Sequence, residues 1–327
     1  MTTAIASSLS ALFIAVTATA AQVAPAPPAA PFEAGRPLGI MSEGKYAPLS
    51  PNVKVYGAVV SAESCVYDAT RDLIMVVNRG ANQNEVPNDG FVSLLNHDGS
   101  VHTARWIGGN REGLTLNHPF GSEIRAGRLY LADSDGGTAD GVPRVAVIRM
   151  FDVRTGAPAG EVKVAGATWL NDIAVARDGT IYASQTGSAD GKTAMRIYRI
   201  TPAGQATVFL EGAPLSLPNG VAMNENGNVV VANMGNADVL TFTTGGELVR
   251  TERAAQPGSD GLVIMGDGTK YLSSVRLGGV SRIRPGKPAE LIASGIPSAA
   301  SMCLDMGANQ LVIPMNPNNA VAFVKLK

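Results

Sequence analysis

Aromatic residues make up only 5% of this 327-residue chain and charged residues 16%; there are three histidines and two cysteines. Each scarcity excludes something. Lys and Arg number 26 against 27 Asp and Glu, so there is no basic surplus to neutralise phosphates and no case for nucleic-acid binding. The apolar run SALFIAV near the N-terminus is too short to span a bilayer, so no membrane span is expected. His97, His102 and His118 lack metal-ligand spacing. His97 and His102 fall at an expected hairpin and read as solvated, whereas His118 lies near a strand entry. No G-x-S-x-G elbow, phosphate-cradling glycine loop or cysteine-nucleophile signature occurs. No long amphipathic helical pattern occurs either. What is abundant is glycine, at 37 residues, the mark of a turn-rich β protein.

Residues 1–21 read as a secretory signal peptide, with Ala18-Thr19-Ala20 as the small-residue cleavage site. The first 35 residues contain no Lys or Arg, which departs from the usual signal pattern and leaves a disordered apolar tail as the rival reading. Residues 22–50, opening with QVAPAPPAAPFEAGR, read as a Pro/Ala-rich linker. Residues 51–327 form the expected folded domain. This organisation implies a periplasmic or secreted protein.

Six repeats start near Glu63, Phe120, Asn171, Asn219, Asp260 and Ala300, at spacings of 57, 51, 48, 41 and 40 residues. These are lengths typical of four-stranded blades. Each repeat opens with an apolar strand. Turns such as RDG (177–179), NENG (224–227) and GDG (266–268) follow, then a second β-rich strand. The expected fold is all-β, a six-bladed β-propeller. The last repeat runs out after three strands, and NVKVYGAVV (52–60) is placed to supply its missing outer strand. Cys65 and Cys303 fall on the inner strands of the first and last repeats, which a closed ring makes neighbours. Either they pair and lock the ring, or they are two buried thiols.

Inner strands of a propeller start on one face, so their first residues ring one mouth of the central channel. Four of the six positions carry oxygen: Glu63, Asn171, Asn219 and Asp260. Phe120 and Ala300 offer no ligand, and a shift of one residue would put Ser301 in the sixth place. Two carboxylates and two amide carbonyls suit a hard divalent cation, Ca²⁺ foremost. The competing explanation is that Asn-Gly and Asp-Gly are common turn formers. Loops after the second strands return to the same mouth. Three are long and polar (79–90, 133–144 and 185–194) and are expected to set specificity. Asp133-Ser134-Asp135-Gly136 matches only the start of a calcium loop and reads as a turn.

These motifs, in this order and spacing, resemble the family of senescence marker protein (regucalcin), gluconolactonase and luciferin-regenerating enzyme, over roughly residues 60–325. The resemblance implies a six-bladed propeller with one divalent metal at the channel mouth. It implies that Glu63, Asn219 and Asp260 are metal ligands, and that Asn171 lies near metal and substrate. Some sugar-lactone hydrolases of the family carry a substrate-holding arginine two residues before that asparagine; here the place is Trp169.

The functional expectation is a metal-dependent hydrolase of a lactone or related ester. Asp260 serves as general base, Asn171 orients the substrate, and Trp169 and Phe120 form an apolar wall. The alternative is a non-catalytic propeller that binds a ligand or partner around a structural metal. A strictosidine-synthase-like propeller is a third option, which lacks a locatable catalytic Glu.

Overall fold

A computed structural model describes residues 39–56, 59–80, 86–137 and 141–327. The residues read as a signal peptide lie outside that set. The described residues belong to one compact unit, 33–327.

Six four-stranded antiparallel sheets follow one another along the chain. Blade 1 runs from Ala62–Asp68 through Leu73–Asn78 and Phe91–Leu95 to Val101–Gly108. Blade 2 occupies Ser122–Lys163, blade 3 Ile173–Glu211, blade 4 Pro218–Arg253 and blade 5 Ser259–Ala293. Blade 6 takes three strands from the C-terminal end (Cys303–Asp305, Gln310–Met315, Ala320–Lys325) and its outer strand, Val53–Tyr56, from the N-terminal side. Val53–Tyr56 pairs antiparallel with Val321–Val324, as the missing strand required. The innermost strands touch in cyclic order, and the last touches the first. The fold is a six-bladed β-propeller.

Local chemistry sets the hairpins. Asp178 Oδ1 accepts the Thr180 amide at 2.9 Å, and Asn224 Oδ1 accepts the Asn226 and Asn228 amides at 3.0 and 2.9 Å. Gly179 and Gly227 then take positive φ angles of 87° and 76°, which residues with a Cβ reach only at a cost.

The core is divided. Among the described residues, six apolar clusters occur, one between each pair of neighbouring blades. Leu116, Leu129 and Leu131 join blades 1 and 2, and Tyr198 and Ile148 join blades 3 and 2. Each fully buried Leu or Ile contributes about 1.5–3 kcal/mol. Burial is therefore spent on holding blades side by side, and that packing fixes the inner strands around the axis.

The seam between blades 6 and 1 carries extra fastenings. Cys65 and Cys303 form a disulfide, with an S–S distance of 2.06 Å and Cα atoms 5.4 Å apart. Asn319 Oδ1 accepts the Ser61 amide at 2.8 Å. His97, expected to be solvated, instead meets the buried Asp305 carboxylate at 2.8 Å, and Gln310 Nε2 donates to the His97 carbonyl at 2.7 Å.

One further difference concerns the span read as linker. Gly39–Ser42 and Lys45–Pro48 form a two-stranded hairpin, and the Ser50 amide donates to the Ser294 carbonyl at 2.9 Å. This stretch has little of the β-branched alternation that marks a strand.

Candidate functional site

Three of the six mouth positions share one backbone bonding pattern. Asn171, Phe120 and Ala300 each donate their amide to the second strand of their own blade, at Ser184, Ala132 and Pro314. Serine hydroxyls of the preceding blade hold the mouth carbonyls. Ser64 donates to Phe120 O at 2.6 Å, Ser184 to Asn219 O at 2.5 Å and Ser273 to Ala300 O at 2.7 Å. The sixth mouth residue is therefore Ala300, not Ser301.

The glycines after Asn219 and Asp260 are not turn glycines. They lie within strands Pro218–Met223 and Ser259–Ile264, and neither has a positive φ. A Cβ on Gly220 would collide with the Asp260 carbonyl oxygen, and one on Gly261 with the Met302 amide. Gly121, after Phe120, meets Asn171 and Asp172 in the same way. The Asn-Gly and Asp-Gly pairs thus mark close approach of neighbouring inner strands. That approach carries Asn219 and Asp260 into the mouth.

Glu63, Asn171, Asn219 and Asp260 are all buried there. Asn171 spends its amide nitrogen on Thr186 Oγ1 at 3.1 Å, which leaves its carbonyl oxygen available. Asn219 Nδ2 points to Met234 Sδ at 3.9 Å. Asn219 Oδ1 and Asp260 Oδ1 are buried and have no hydrogen-bond partner in the protein. Burial holds the Asp260 carboxyl well above its ordinary range, and the charges of Glu63 and Asp172 push it further. Burial also raises Glu63, against the pull of Arg79. Asp172, one residue beyond Asn171, is pushed up to about 7 by burial; its Oδ2 accepts the Val221 amide at 2.9 Å and ties blade 3 to blade 4.

Phe120 and Trp169 pack with ring centroids 5.3 Å apart and planes tilted by 43°, and His118 meets Phe120 edge-on at 5.0 Å. Burial, with the charges of Arg79 and Arg144, holds the His118 ring down to about 3, so it is neutral near pH 7. Its Nδ1 is buried without a partner.

Two residues not singled out from the sequence belong to this mouth. Arg79 Nη1 lies 3.3 Å from Glu63 Oε2, and the Asn316 side chain donates to the same oxygen. Each follows directly on the region where a second strand ends, at Asn78 and Met315. Chain direction placed those loops over the site, and the first residue of each loop was the signal to read. Asp133 and Asp135, read from the sequence as part of a turn, lie instead in strand Arg128–Asp135; both grip Arg149, and Asp133 also accepts the Asn117 and His118 amides.

Among the described residues, no cluster of three or more His, Cys, Asp and Glu occurs. The donor set is two carboxylates and two amides. Two buried acceptor oxygens without donors are costly, by roughly 1–3 kcal/mol each. A hard cation would satisfy both, so the residues fit one.

A six-bladed propeller with an oxygen-lined channel mouth is the class of protein that fold and site define. Residues 97–313 match the family model of the SMP-30/Gluconolactonase/LRE-like region, and the chain belongs to that family. No curated protein matches the chain. Among solved structures, a gluconolactonase of Xanthomonas campestris is similar over 93% of this chain and 99% of its own, with TM-score 0.59 and 18% identity. The virginiamycin B lyase of Staphylococcus aureus is similar over 84% of this chain and 100% of its own, with TM-score 0.57 and 12% identity. At such identities the likeness is one of fold.

Proposed function

We propose that this protein is a metal-dependent hydrolase of a lactone or related ester. The observation that carries the reading is the pair of orphaned oxygens, Asn219 Oδ1 and Asp260 Oδ1, buried in an oxygen-lined mouth. Glu63, Asn171, Asn219 and Asp260 would hold the ion, with Ca²⁺ the best match to oxygen donors. A bound divalent cation would polarise the substrate carbonyl and acidify water. Asp260 serves as general base toward the attacking water, whose proton it would take while still near the ion. Asn171 orients the substrate through its remaining amide capacity. Phe120 and Trp169 give one side of the mouth an apolar wall, which favours a substrate less polar than a sugar acid.

A secreted or periplasmic location accords with the apolar N-terminal segment and with the Cys65–Cys303 bridge, since disulfides persist in oxidising compartments. The test is hydrolysis of a lactone and ester panel with Ca²⁺, Mn²⁺, Zn²⁺ or chelator. Turnover that chelator abolishes, and that a folded Asp260→Ala variant lacks, supports the reading. No turnover from protein that still gains thermal stability with metal favours a ligand-binding propeller with a structural ion.

A further inference from the structure

Arg79 brings a positive charge into the mouth. Its side chain is buried and fully engaged: Nε and Nη2 reach Ser61 Oγ at 3.3 and 3.2 Å, and Nη2 donates to Asn316 Oδ1. Nη1 faces Glu63 Oε2 at 3.3 Å, and the guanidinium carbon lies 5.2 Å from the centre of the Phe120 ring. Arg79 and Asn316 converge on the same oxygen of Glu63. That oxygen already faces two donors before any cation arrives.

The charge of the mouth changes accordingly. Glu63 and Asp260 alone carry two negative charges when ionised, enough to balance a divalent ion. Arg79, ion-paired to Glu63, removes one negative charge from that pair, while the buried Asp172 carboxyl lies close enough to act on Asp260. Oxygen-ligated cation sites are tuned by the number of charged ligands. A buried positive charge this close to the ligands repels a second cation strongly, because little water screens it. The neutral residues at the mouth, Asn171, Asn219, Phe120 and Ala300, do not offset it.

We infer that Arg79 is a resident counter-ion that competes with the divalent cation for Glu63 and so sets the metal affinity of the site. This rests on the metal-binding reading above. It predicts weak, exchangeable metal binding, and it assigns Arg79 a regulating role rather than contact with substrate.

The experiment is isothermal titration of Ca²⁺ and Mn²⁺ into chelator-treated full-length protein, wild type beside Arg79→Gln and Arg79→Lys. Arg79→Gln should bind at least about tenfold tighter, and Arg79→Lys, which keeps the charge, within about threefold of wild type. Metal binding by Arg79→Gln but not by wild type supports the inference in its strongest form. Binding by wild type with equal or weaker binding by Arg79→Gln overturns the inference and leaves the metal reading standing. No binding by either protein overturns both. Should Arg79→Gln fail to fold, the Arg79 Nε–H resonance of wild-type protein is followed during Ca²⁺ titration. A saturable shift that tracks binding supports competition, and an unmoved resonance while metal binds contradicts it.

Discussion

Gly220 occupies a place where any Cβ would meet the Asp260 carbonyl oxygen of the next blade. Its partner residue Asn219 owes its position to that contact. Gly227, a turn glycine in the same blade, has nothing within reach of a Cβ and a φ of 76°. The two therefore fail differently. Gly220→Ala should destabilise the fold by about 1–3 kcal/mol through overpacking and should also weaken metal binding, because Asp260 must shift. Gly227→Ala should cost about 1–2 kcal/mol of backbone strain and leave metal binding unchanged. Chemical denaturation with a metal titration on each variant separates them. The oxygen residues at the mouth were legible in the sequence because each opens a strand, a local pattern. Arg79 was not, since its meaning comes from Glu63 across a strand pair and from Asn316, which lies 237 positions away.

Hairpins and their turns were the most legible elements, because Asp178 and Asn224 bond amides only two to four residues ahead. The hairpin at Gly39–Pro48 was hidden for the opposite reason: its pairing is local, but its residues carry no strand pattern. His97 was read as solvated because its partner sits on another blade. At the seam it lies between Asp305, which is fully buried, and Asp72, whose Oδ1 is 3.1 Å from Nε2. The hydrogen bond to Asp305 raises the imidazole above its ordinary 6.5, with Asp72 adding to the effect. A raised histidine contributes stability that is fully present below its unfolded pKa. That contribution is lost as pH rises through the folded value. His97→Gln should therefore cost about 1 kcal/mol at pH 5.5 and distinctly less at pH 9. Urea denaturation of both proteins at the two pH values checks this, and an equal cost at both would remove the charged histidine from the account.

The ring closes with strands from both ends of the domain, so blade 6 depends on Val53–Tyr56 remaining on Val321–Val324. The Cys65–Cys303 bridge spans 238 positions at the same seam and restricts the unfolded chain over most of the propeller. Reduction, or the Cys65→Ser/Cys303→Ser double variant, should lower stability by about 2–4 kcal/mol. Urea midpoints with and without reductant measure it, and coincident curves would mean the seam holds without the bridge. Repeat length and the truncated last repeat made the closed ring legible, whereas the bridge stayed open to two readings because pairing depends on inter-strand distance.

The central claim is that the mouth binds a divalent cation. The most direct test is calorimetric titration of Ca²⁺ into chelator-stripped wild-type protein, with Asn219→Ala and Asp260→Asn alongside. The account predicts one ion per chain for wild type and loss of binding in both variants. Absence of divalent-cation binding from both wild type and Arg79→Gln, or Asn219→Ala and Asp260→Asn variants that bind as wild type does, would contradict it.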